Sequence, residues 1–294
     1  MQYTILKFMQ SLHSPFMDII ANFLSFLGES TIMILIFMLI YYGWSKKKGF
    51  GMLSAITTAL VTTNAVKAIF RIPRPFMVHE DLLGGRLETA TGYSFPSGHT
   101  TGASAFFTSF AKTMERRWMI ILALILSALV GLSRMYFAVH WPLDVLVGFI
   151  IGTAAALLLT KAAERVYQDN AVLLIISSAV AIVTLAAAIT FAILLKNGAD
   201  ERAFSDLMKM CALTAGAFAG IVLEKTAASF KECKEIKRTL LNFLIALVGI
   251  LIIMALKLIS ADPLVSTLRY LLVGVWAAGI YPIIAVKTGL MERL

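Results

Sequence analysis

The sequence predicts an all-α fold, a polytopic transmembrane helix bundle, from three observations. Of 294 residues, 59% are hydrophobic and only 15% charged, a balance outside the range of soluble domains. Mean hydropathy is +0.85. The apolar runs are continuous over roughly 17–25 residues instead of alternating, which suits a helix crossing hydrocarbon and excludes a transmembrane β-barrel.

The elements follow in order. Met1–Lys7 lacks a basic leading region and no small-residue cleavage site follows, so no cleavable signal is expected and the first spans direct insertion. Within Met1–Gly28, "FMDIIANFLSFLG" has helical periodicity and one acid but is short for a span. It predicts an interfacial amphipathic helix. Nine spans are then drawn, at about 29–44, 49–70, 97–113, 118–138, 141–161, 171–195, 205–223, 239–258 and 264–286. The polar stretch "KAAERVYQDN" separates a motif-bearing region, residues 1–165, from four plain spans within 166–294. Lys209 and Arg269, the charges inside those last spans, fall near predicted helix ends, which argues against an ion pathway.

Charge placement gives sidedness. The loops after spans one, three, five and seven and the C-terminal tail carry fifteen of the 26 lysines and arginines. That side is cytoplasmic by the positive-inside rule. The net charge of +9 is accounted for by topology and contact with anionic membrane lipids and does not call for nucleic acid. Cys211 and Cys233 stand far apart in different settings, and neither a disulfide nor a metal site is expected. In "HEDLLGG", His79–Gly85, successive His, Glu and Asp do not converge on one helix face, so a solvated loop is expected rather than a metal site.

Polar groups near hydrocarbon are expensive, and here they form three clusters. "KAIFRIPRP" places Lys67 in a last helical turn and Arg74 just beyond it. "PSGH" sets Ser97, Gly98 and His99 after Pro96 at the mouth of a span. "SRMYFAVHWPLD" holds Ser133, Arg134, His140 and Asp144 about the turn between spans four and five. Alternating spans bring all three clusters to the non-cytoplasmic face. Three cations and two imidazoles around one point suit an anion with several oxygens, and phosphate is the natural one. Gly98 lets backbone approach closely, and the free N–H groups of the following turn, with the helix dipole behind them, form an oxyanion cradle to which Ser97 adds a hydroxyl. Asp144 follows His140 by four residues, the spacing at which a carboxylate binds one imidazole nitrogen and leaves the other free to attack phosphorus. His99, from another helix, is placed to protonate the leaving alkoxide.

Together these residues resemble the type 2 phosphatidic acid phosphatase superfamily of integral-membrane phosphatases. Its motifs, K-x6-R-P, P-S-G-H and S-R-x5-H-x3-D, are matched at 67–75, 96–99 and 133–144, in the right order and at the right spacings. The resemblance covers about residues 1–165. It implies a metal-independent phosphatase without cofactor, in which His140 becomes phosphorylated, His99 serves the leaving group, Asp144 orients His140, and Lys67, Arg74, Ser97, Gly98 and Arg134 bind phosphate. The expected substrate is a lipid phosphomonoester or pyrophosphate, such as phosphatidic acid, phosphatidylglycerol phosphate, undecaprenyl pyrophosphate or a phosphorylated sphingoid base. Three alternatives compete: hydrolysis of a soluble sugar phosphate, a transporter or scramblase built on the last four spans, and a vanadate-dependent haloperoxidase, a soluble group against which the spans speak. Compact loops without eukaryotic sorting signals point to a bacterial inner membrane. A homo-oligomer is compatible with the sequence, and nothing in it selects one.

Overall fold

The computed structural model describes the whole chain, Met1–Leu294. It is helical throughout and divides into two compact units, Met1–Ile34 with Gly51–Ala162 and Leu35–Phe50 with Ala163–Leu294. The end of the third helix and the start of the fourth thus cluster with the C-terminal half.

The first unit holds α1 (Gln2–Ser11), α2 (Pro15–Phe26), the start of α3 (Ser30–Gly43), most of α4 (Lys46–Phe70), the short α5 (Pro75–Val78), α6 (Gly98–Met114), α7 (Arg117–Tyr136) and nearly all of α8 (Pro142–Val166). Serine begins two of them: Ser14 caps α2, with Pro15 supplying a preset first turn, and Ser97 caps α6. Along α6 almost every face is buried, and most of its buried side chains are small or hydroxylic. Thr101 and Ser109 turn their hydroxyls onto carbonyls one turn back. Part of the helix's polarity is thus satisfied internally, while the buried hydroxyls of Ser104 and Thr108 have no protein partner.

Glycine sets how closely α8 approaches α6. A Cβ at Gly148 would lie 2.7 Å from the Ser97 carbonyl, and one at Gly152 would lie 2.3 Å from that of Thr101. The spacing of four residues puts both on one face of α8, where only glycine fits.

Around this pair lie two apolar clusters. Leu6, Leu82, Met135 and Ala138 form one, and Ala21, Tyr136, Phe137 and Val139 the other. In the second, α2 presents its small residues inward, with Ala21 and Ser25 buried while Phe16, Ile19 and Phe23 are exposed.

The second unit adds α9 (Asn170–Lys196), α10 (Glu201–Leu223), α11 (Ile236–Ala255), α12 (Pro263–Val275) and α13 (Tyr281–Lys287). Asp169, Asp200 and Asp262 cap α9, α10 and α12 through their carboxylates. Helices α10 and α12 approach at Gly216, where a Cβ would stand 2.0 Å from the Leu271 carbonyl. Lys46 and Glu224 form a buried pair at 3.0 Å. Glu224 also accepts from the Phe230 N–H at 3.0 Å, and Lys46 Nζ donates to the Phe230 carbonyl.

The structure corrects or adds to expectation at four places. Nine spans were drawn, but seven helices are long and apolar enough to cross a membrane, eight if α2 and α3, which meet at a 51° bend, count as one. With 14 residues, α3 rises only about 21 Å against a hydrocarbon core of about 30 Å, and α6 is itself short. The helix expected over "FMDIIANFLSFLG" is α2, and α1 precedes it as a second helix. The loop His79–Gly85 is not simply solvated: Lys7 pairs with Asp81 at 2.6 Å, Gln10 donates to the Leu83 carbonyl at 2.8 Å, and Leu82 is buried. Finally, Arg269 lies near the start of the span Pro263–Lys287, as expected, but is buried there. It is 5% exposed, and its Nε and Nη1 have no protein partner, whereas Lys209 pairs with Asp206 at 3.2 Å.

Candidate active site

All three clusters lie in the first unit, and helix ends position them. Lys67 sits in the last turn of α4, where its Nζ donates to the carbonyls of Tyr93 at 2.6 Å and Ser94 at 3.3 Å. Arg74, the residue before Pro75 of α5, is extended, as a residue preceding proline prefers. Its guanidinium is spread over a ring of acceptors. Nε donates to the Gly92 carbonyl at 3.0 Å, Nη2 to that of Thr91, and Nη1 to that of Val139 at 2.9 Å. The same Nη1 stands 3.3 Å from His140 Nε2.

That last contact identifies a tautomer. Guanidinium only donates, so His140 Nε2 must be the acceptor and Nδ1 must carry the proton. Nδ1 faces Asp144 Oδ2 at 3.3 Å. The imidazole is 2% exposed. Burial, with the Arg74, Lys67 and Arg134 cations around it, holds His140 well below the ordinary histidine range. A neutral ring results, unprotonated at Nε2, whose lone pair faces the Arg74 guanidinium.

Asp144 opens α8 in the turn after His140, and its Oδ2 also accepts from the Trp141 N–H at 2.9 Å. Its backbone carbonyl accepts from the Ser97 N–H at 2.9 Å, which ties the third motif to the second. Ser97 Oγ accepts from Thr100 Oγ1 at 2.9 Å and from the Thr100 N–H, and its own proton remains to be donated. A Cβ at Gly98 would meet nothing within 4 Å, so there is open space against the backbone at the start of α6.

Arg134 is wholly buried in the last turn of α7. It donates to Ser25 Oγ and to Thr89 Oγ1 at 3.4 Å. Its backbone carbonyl accepts from the Val139 N–H at 3.2 Å, closing the turn in which Ala138 takes a left-handed conformation, φ 48°. His99 feels the charges of Arg134, Arg86, Arg74 and Lys67. Two polar atoms of the cluster, His99 Nε2 and Arg134 Nε, are buried without a protein partner. Buried polar groups are ordinarily satisfied, and an anion with several oxygens supplies the acceptors they lack.

Sequence reasoning missed several contributors. Ser94 Oγ lies 2.5 Å from Asp144 Oδ2 and 3.4 Å from His140 Nδ1. Ser25 and Thr89 hold Arg134. Arg86 pairs with Glu29 and donates to the Asn22 carbonyl at 2.9 Å, tying its loop to the break between α2 and α3. A proline two residues after Ser94 hints at a turn, but lone hydroxyls carry no spacing signal.

The PAP2 superfamily model matches residues 48–168, and the model for the PAP2 superfamily phosphatase, transmembrane extension, matches 208–293. The chain is 35% identical over 118 residues to an undecaprenyl-diphosphatase of Sulfolobus acidocaldarius, covering 40% of this chain and 55% of the relative. It is 28% identical to undecaprenyl-diphosphatase BcrC of Bacillus subtilis, over 51% of this chain and 78% of the relative. Phosphatidylglycerophosphatase B of the same organism is 26% identical, over 48% and 72%. The chain spans about half the length of the first of these relatives.

Proposed function

Because this integral-membrane chain belongs to the PAP2 superfamily, we propose that it is a membrane phosphatase acting on the phosphomonoester or pyrophosphate of a lipid, through a phosphohistidine at His140. The observation that carries the reading is Arg74 Nη1 at 3.3 Å from His140 Nε2. A phosphoryl group entering there meets a cation and a nucleophile together.

In the first step the Nε2 lone pair attacks phosphorus, the P–O bond to the lipid breaks, and His99 gives the departing oxygen a proton. In the second step His99 takes a proton from water, whose oxygen attacks phosphorus and breaks the P–N bond, releasing inorganic phosphate. Asp144 receives the Nδ1–H bond throughout and stabilises the charge that forms on the ring. Lys67, Arg74, Arg134, Ser97 and the N–H groups at the start of α6 balance charge on the phosphoryl oxygens. These fixed cations and dipoles supply the electrostatic work of a divalent ion, so turnover is expected to be insensitive to EDTA. The names of the relatives support a lipid substrate, and the motifs themselves read only the phosphate. We place the protein in a bacterial inner membrane with its site on the non-cytoplasmic face, as the lysine-rich loops support.

The test is phosphate release by purified protein across diacylglycerol phosphates, polyprenyl diphosphates and sugar phosphates, with and without EDTA, beside His140→Ala. Release that falls at least ~10³-fold in the variant is expected. Release from sugar phosphates alone moves the substrate class to soluble esters, and no release from any compound by folded protein sinks the reading.

A further inference from the structure

We infer that Ser94 is a positioning residue of this site, whose hydroxyl holds the Asp144 carboxylate in the orientation that sets the His140 tautomer. The inference rests on the phosphatase reading above.

Ser94 is wholly buried and belongs to none of the three motifs, yet it joins all of them. Its N–H donates to the Ile72 carbonyl at 2.8 Å, within the first motif. Its carbonyl accepts from Lys67 Nζ at 3.3 Å. Its Oγ reaches Asp144 Oδ2 at 2.5 Å, with His140 Nδ1 at 3.4 Å and the Val139 carbonyl at 3.5 Å. It precedes Pro96 by two residues, so its backbone also leads directly into the cradle at the start of α6.

The geometry of Asp144 explains why a hydroxyl is needed. Oδ2 receives the Trp141 N–H at 2.9 Å and faces His140 Nδ1 at 3.3 Å. The Trp141 N–H lies on the same turn as Asp144 and fixes one approach to the oxygen. Ser94 comes from a different segment and fixes a second. Two donors from separate elements leave the carboxylate one orientation, the one in which Oδ2 meets the proton on Nδ1. The terminal torsion of aspartate is broad and roughly two-fold when nothing restrains it. With the hydroxyl gone, rotation of the carboxylate weakens the hold on Nδ1–H, and the imidazole populates the other tautomer, in which Nε2 bears hydrogen and cannot attack phosphorus.

Alanine at 94 separates this role from scaffolding. Both backbone hydrogen bonds survive in Ser94→Ala, and only the hydroxyl is lost. If Ser94 acts through Asp144, its loss lowers kcat and leaves KM nearly unchanged, because the phosphate-binding groups stay in place. Once Asp144 can no longer hold the ring, the hydroxyl has nothing left to do.

The experiment measures phosphate release by the full-length protein in detergent for wild type, Ser94→Ala, Asp144→Asn and the double variant. Beside it, nitrogen-15 spectra of the histidine rings are recorded, with His140 assigned by comparison with His140→Ala. We expect Ser94→Ala to lower kcat by about 10–100-fold with KM within about threefold, and to cost less than about twofold in the Asp144→Asn background, the signature of one shared pathway. His140 shifts from the Nδ1–H form in wild type to a mixture in Ser94→Ala. Wild-type kcat in Ser94→Ala, losses that multiply in the double variant, or an unchanged His140 tautomer each overturn the inference. A wild type that releases no phosphate overturns the phosphatase reading instead, and the tautomer comparison still decides the role of Ser94.

Discussion

The two units bury charge in opposite ways. In the second, Lys46 and Glu224 neutralise each other at 3.0 Å, and the surrounding Phe230 backbone and Tyr41 hydroxyl use much of their remaining hydrogen-bonding capacity. In the first, Arg134 is wholly buried on the hydroxyls of Ser25 and Thr89, while its Nε and His99 Nε2 stay unpaired. A charge whose partner is built in serves the fold. Charges gathered without that partner indicate that it arrives from outside. Arg269 is the exception in the second unit, with one hydrogen bond to Ser266 at 3.1 Å and two unpaired nitrogens.

The contrast can be broken where its effect is greatest. Arg134→Met removes a cation proposed to bind the phosphoryl group, and kcat/KM should fall about 10²–10³-fold while the protein elutes and unfolds much as wild type does. A thermal midpoint that collapses with activity would instead make Arg134 a structural charge. Lys46→Ala should do the reverse. It strands Glu224 and costs about 3–5 kcal/mol in unfolding titrations, with kcat per folded molecule intact. Arg269→Met, which removes an underpaired charge, should leave the thermal midpoint unchanged or raise it, and a large drop would show that Arg269 has a partner of its own.

Smaller effects sharpen the comparison. The proposed nucleophile is neutral His140, whose pKa is held well below the ordinary histidine range by burial and nearby cations. Protonation destroys activity only as pH falls through that lowered value, so the acid limb of kcat/KM should lie below about pH 6.5. An acid limb at or above that value would contradict the buried, cation-flanked environment. The mildest change concerns the clasp of α1. Hydrogen bonds from Lys7 and Tyr3 hold the Asp81 carboxyl below its ordinary range. A lowered folded-state pKa means that the clasp stabilises above the unfolded value and is lost as pH falls through the lowered one. Asp81→Asn should speed amide exchange in Gln2–Ser11 while leaving kcat unchanged, and unaltered exchange would show that the apolar contacts of Leu6 suffice.

Much of the site was legible because its residues sit at helix ends with fixed offsets. Four residues separate His140 from Asp144, and one helical turn returns the carboxylate to the ring. Pro-Ser-Gly announces a helix start, and Ser97 caps α6. The hydroxyls that complete the arrangement were not legible, since Ser25 lies 109 residues from Arg134 and no local pattern links them. The all-α class followed from composition, whereas the span count did not. In α6, hydroxyls and glycines that pack inside the first unit dilute the apolar signal, and α3 needs α2 beside it to reach a membrane's thickness. The clustering of Leu35–Phe50 with the C-terminal unit had no trace in composition either, because Tyr41, Tyr42 and Lys46 declare their partners only in three dimensions.

Gly148 and Gly152 allow the α8 backbone to lie directly on that of α6. Helix α6 carries the cradle and α8 the carboxylate beneath the nucleophile, so the working distance of the site is set by missing atoms, like a gauge block between two rails. The exposed side chains of α8, among them Leu146, Ile150 and Leu158, lie outside that gap. Substitution there leaves the spacing between cradle and carboxylate in place, whereas one methyl group at either glycine would undo it.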